Sequence, residues 1–67
     1  MIQLTRFNGT TFVLNCFLIE TIEATPDTVI TLNNGKKMVV KESVDEIISL
    51  VKLFLNDVYL FKNIEPK

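Results

Sequence analysis

The residues that could do chemistry in this sequence are few, and their spacing fits no catalytic or metal site. Cys16 is the single cysteine and histidine is absent. A nucleophile therefore has no imidazole to take its proton, and neither a disulfide nor a Cys/His zinc set can form within the chain. Cys16 follows Phe12 and Leu14 on one alternation, which reads as a buried, inert thiol. Glu20 and Glu23 supply a carboxylate pair, but on a strand they fall on opposite faces and cannot share a substrate. Asn34-Gly35-Lys36-Lys37 has the composition of a phosphate cradle without the long glycine-rich loop that opens a helix. Two lysines after a turn read instead as the solvated guard of a sheet edge. Asp27, Asn33 and Asn34 offer oxygen atoms without calcium-loop spacing. No catalytic residue, metal ligand or cofactor is expected, which leaves binding as the function class.

Composition narrows what is bound. The net charge of −1 lacks the global positive balance that drives non-specific nucleic-acid binding, so nucleic acid is a disfavoured partner. A chain of 67 residues buries only about 60% of its extended surface on folding. Without disulfides or metal it needs an unusually apolar core or a second copy of itself, and 48% hydrophobic residues suit both. The N-terminus shows no basic start followed by an apolar stretch and cleavage site. The longest apolar stretch, Ile47 to Phe61, is broken by Ser49, Lys52, Asn56 and Asp57 and is too short for a bilayer core of about 30 Å. The expectation is one cytoplasmic domain without a transmembrane segment, with peripheral membrane contact left open.

Two segments share one grammar. Leu4 to Leu14 and Ile30 to Val40 are each an apolar alternation, an Asn-Gly pair (Asn8-Gly9, Asn34-Gly35) and a second alternation, a strong hairpin signal. A two-residue loop would split the apolar side chains between faces. A three-residue loop with the glycine left-handed pairs Leu4 with Phe12 and Ile2 with Leu14, and in the second hairpin Ile30 with Met38 and Thr28 with Val40. Ile19 to Ala24 reads as a strand by its length, and Thr25-Pro26-Asp27-Thr28 as a β-turn with Pro26 second and Asp27 bonding its own backbone. The fold class is α+β: a small antiparallel sheet of five strands in a meander, or a half-open barrel, with one C-terminal amphipathic helix.

Ser43-Val44-Asp45-Glu46 is a capping box that starts this helix, expected over about 43–61. At about 100° per residue, Val44, Ile47, Ile48, Leu50, Val51, Phe54, Leu55, Val58, Tyr59 and Phe61 cover nearly half of its circumference. Leu53 and Leu60 are misfits on the polar side. A stripe this broad exceeds what one small sheet covers, so Leu50, Leu53, Phe54, Val58 and Phe61 are the candidate partner or oligomer interface, most simply with a second copy. Residues 1–62 form the domain, and 63–67 read as a frayed tail.

Leu4-Thr5-Arg6-Phe7-Asn8-Gly9, Leu18-Ile19-Glu20, Thr25-Pro26-Asp27-Thr28-Val29-Ile30-Thr31-Leu32 and Gly35-Lys36-Lys37 together resemble the FlbD family of small bacterial flagellar proteins. The resemblance covers roughly the first fifty residues. It implies a non-catalytic role in flagellum-driven swarming, with motor or stator proteins as partners at the cytoplasmic side of the flagellar base. Leu4-Thr5-Arg6 before a glycine turn, five short strands and a C-terminal helix are also similar to CsrA-type carbon storage regulators, RNA-binding dimers with interleaved strands. That likeness implies Thr5 and Arg6 as RNA contacts. The sequence departs from it just before the helix, where Val44 stands at the place of an essential arginine and Lys41 is the nearest basic residue.

Overall fold

The computed structural model describes the backbone of residues 1–64 and the side chains of residues 1–56. Strands β1 (Ile2–Thr5) and β2 (Thr11–Leu14) form one antiparallel hairpin. A single 3-10 turn, Cys16–Leu18, leads to β3 (Ile19–Ala24), β4 (Thr28–Leu32) and β5 (Lys37–Val40), and helix α1 follows over Val44–Ile64.

The Asn-Gly hairpins take the predicted form. Gly9 and Gly35 have φ of 93° and 88°, a region that only glycine enters without a steric penalty. Around Gly9, the Arg6 amide donates to the Thr10 carbonyl at 2.8 Å and the Gly9 amide to the Arg6 carbonyl at 2.9 Å. Around Gly35, the Leu32 amide reaches the Lys36 carbonyl and the Gly35 amide the Leu32 carbonyl, both at 2.8 Å. Asparagine completes each loop: Asn8 Oδ1 accepts from the Thr10 amide at 3.0 Å, and Asn34 Oδ1 from the Lys36 amide at 2.9 Å. The resulting registers are Ile2 to Leu14 and Leu4 to Phe12 in one hairpin, Thr28 to Val40 and Ile30 to Met38 in the other.

Those registers set the core. Because side chains alternate along a strand, Ile2 and Leu4 of β1, Thr28, Ile30 and Leu32 of β4, Leu14 and Val40 all turn inward and are buried. Cys16 joins them as a free, buried thiol. Helix α1 packs on β1 and β3 and adds Ile47, which is 0% exposed, with Leu50, Val51 and Phe54 half-buried around it. Each fully buried aliphatic side chain contributes about 1.5–3 kcal/mol.

The strands depart from a plain meander. They form a two-stranded sheet, β1-β2, and a three-stranded sheet, β3-β4-β5. The break comes at Asn15, whose Oδ1 accepts from the Phe17 amide at 3.1 Å and winds the chain into the 3-10 turn instead of a hairpin. The sheets rejoin elsewhere: Arg6 bridges Val40, and the Lys41 amide donates to the Thr5 carbonyl at 2.9 Å. The end of β1 therefore meets the end of β5. In β3 the register slips between Ile19 and Thr21, placing Glu20 in a bulge.

The turn between β3 and β4 also differs from expectation. Ala24 pairs with Thr28, leaving Thr25, Pro26 and Asp27 as the loop, with a cis Thr25–Pro26 bond. The Thr25 amide donates to the Asp27 carbonyl at 3.2 Å, so the loop is closed by the Asp27 main chain and not by its carboxylate. At the other end, the helix runs three residues past Phe61, to Ile64. The remaining tail, 65–67, lies outside the described residues.

Candidate functional site

Helix α1 starts where the capping box places it. The Ser43 amide donates to Glu46 Oε1 at 2.8 Å, and the Glu46 amide to Ser43 Oγ at 3.1 Å. Two of the donors left open at a helix start are thereby satisfied. Asp45 and Glu46 in the first turn suit the positive end of the helix dipole.

Anchored by Ile47, the helix divides the predicted interface set. Leu50 and Phe54 turn toward the core, where Phe54 meets the Phe17 ring edge-on at 5.9 Å between centroids. Leu53 turns away and is 61% exposed. Val58 and Phe61, like Tyr59 and Leu60, have side chains outside the described residues.

The structure adds exposed apolar surface outside the predicted interface set. Phe17 is 66% exposed on the 3-10 turn, and Ile48 is 41% exposed on the helix. Between α1 and β3 lies an open, mainly apolar groove of about 260 Å³ lined by Cys16, Ile19, Ile22, Ile48, Val51 and Lys52. Finding it required the position of β3 relative to the helix.

Thr5 and Arg6 have structural partners. The Thr5 amide and hydroxyl donate to the two carboxylate oxygens of Glu42, at 2.9 and 2.7 Å. Partial burial works to raise the Glu42 pKa, but these bonds and one from its own amide outweigh that and hold it below the ordinary value of 4.5. The Arg6 guanidinium lies over the Phe12 ring, 4.3 Å from its centroid, a cation–π contact across the hairpin. Among the described residues, no group of three or more Asp, Glu, Cys or His is placed to hold a metal, and no helix is long and apolar enough to cross a membrane.

No curated protein and no solved structure gives a significant match to the chain. A family profile does: that of FlbD, described as flagellar and swarming motility proteins, matches residues 1–59. The matched span takes in both hairpins, the capping box and the helix through Tyr59, and the chain belongs to the FlbD family of flagellar and swarming motility proteins.

Proposed function

We propose that this FlbD-family chain is a non-catalytic accessory of the flagellar motor. It acts at the cytoplasmic side of the flagellar base by docking through α1, in support of the torque-generating stator units during swarming. The observation that carries this reading is the contrast along one helix. Ile47 is fully buried and fixes the helix to the strands, while Ile48 and Leu53 hold apolar surface out to solvent. A single exposed leucine is ordinary in a monomer. Phe17 and the groove along β3, to which Ile48 contributes, add further exposed apolar surface of the kind that protein partners cover. A second copy of the chain is the simplest cover for part of it, with a motor protein for the rest.

The test is complementation of a strain lacking the gene with Leu53→Glu. Leu53 is exposed, so the charge leaves the core intact. Phe54→Glu would mix loss of docking with loss of folding, because Phe54 packs on the core. The expected outcome is a folded protein that accumulates normally and leaves swarming reduced. Full restoration of swarming by that variant would remove the helix as the contact.

A further inference from the structure

A second surface, with a different chemistry, lies where the two sheets part. β5 is bonded to β4 along one side, while on its other side β1 reaches it only at the Arg6–Val40 bridge and the Lys41-to-Thr5 bond. Toward the start of β5 the sheets diverge, and an open notch of about 410 Å³ appears, lined by Arg6, Phe7, Asn8, Lys37, Met38 and Val39. None of these residues belongs to α1.

Two properties of the notch select its ligand. Its charged lining is two cations and no carboxylate, in a protein whose net charge is −1. The Arg6 guanidinium is held over Phe12, and Lys37 is exposed. Local charge here opposes the global balance, and it is accompanied by apolar surface, Phe7 being 56% exposed. The backbone adds direction. Since the Leu32 amide donates to the Lys36 carbonyl across the β4–β5 turn, alternation sends the main-chain groups of Met38 and Val40 to β4 and those of Lys37 and Val39 toward the notch.

We propose that this notch binds an extended acidic segment of a partner protein. Its carboxylates meet Arg6 and Lys37, its apolar side chains rest on Phe7 and Val39, and its backbone adds to the open stretch of β5. A peptide fits better than nucleic acid, because half of the lining is apolar and the cations are only two.

Fluorescence anisotropy with a fluorescein-labelled peptide of alternating Glu and Leu tests this, against the same peptide with Gln for Glu. The Glu peptide binds the wild-type protein, and the Gln peptide binds at least about tenfold more weakly, the loss expected for a charge-assisted contact. Affinity falls severalfold as salt rises from about 50 to about 300 mM. Lys37→Glu, an exposed change whose folding is checked by circular dichroism, loses Glu-peptide binding and gains binding to a Lys-Leu peptide. Leu53→Glu binds as wild type does, which separates the notch from the helix surface. Equal binding of the Glu and Gln peptides, unchanged binding by Lys37→Glu, or displacement of the peptide by a lower concentration of single-stranded oligouridine would each overturn the proposal. So would absence of Glu-peptide binding at the low-salt limit.

Discussion

Thr5 and Glu42, 37 residues apart, hold the protein's two sheets together at one corner, with the Thr5 amide and hydroxyl each donating to a different oxygen of one carboxylate. Glu42 follows β5 and lies just ahead of the helix cap, so the same bonds fix the direction in which α1 leaves the sheet.

This bond pair makes stability depend on acidity. The folded pKa of Glu42 lies below its ordinary value of 4.5. Its contribution is therefore complete above that value and is lost as pH falls through the folded pKa. Glu42→Gln should be less stable than wild type by about 1 kcal/mol at neutral pH, since the group is only partly shielded. In strong acid the difference should shrink toward zero. Urea denaturation of both proteins across that range measures it, and an equal gap at every pH would contradict the assignment.

The hairpin glycines are needed for their backbone conformation alone. A Cβ at Gly9 or Gly35 meets nothing within 4 Å, so alanine costs only the left-handed φ, about 1 kcal/mol at each position. Gly35→Asn should be milder than Gly35→Ala, because asparagine tolerates that region better. Thermal melts of the three variants supply the ranking. Similar melting temperatures for Gly35→Ala and wild type would rule the account out.

These hairpins were also the most legible part of the sequence. Their register depends on residues within twelve positions of one another and on period-two alternation, and both Asn-Gly loops repeat one solution. The capping box is equally local. What escaped was settled over longer distances or by one competing bond. The Asn15 side chain diverted the chain into a 3-10 turn, and no periodic pattern marks Thr5 and Glu42 as partners. Helical spacing correctly separated Leu53 from Ile47, yet the groove beneath Ile48 and the notch at Arg6 exist only once strands distant in sequence are set side by side.

Ile47 is the point where the helix is fastened to the strands. Its side chain is fully buried among residues from both sheets, so Ile47→Ala removes buried methyl groups and leaves a cavity, at about 2–5 kcal/mol. A domain of this size has little more than that in total. The expected result is an unfolded protein or one whose helix is cut readily by protease, whereas Leu53→Ala should resist digestion as wild type does. Protection of α1 in the Ile47→Ala protein would show that other contacts hold the helix.

The apolar surface around Phe17 predicts self-association. A stable interface buries about 1,200 Å² in total, roughly 600 Å² from each copy, against 4908 Å² exposed by the single chain. Phe17 is 66% exposed while its ring already makes a T-shaped contact with Phe54, so it is presented without having to unpack the core. On the proposed reading, wild-type protein sediments as a dimer or larger at micromolar concentration, and Phe17→Glu shifts it toward the monomer without changing the circular dichroism spectrum. A wild-type protein that stays monomeric throughout that range would leave the surface to a different protein, and the second copy would have to be given up.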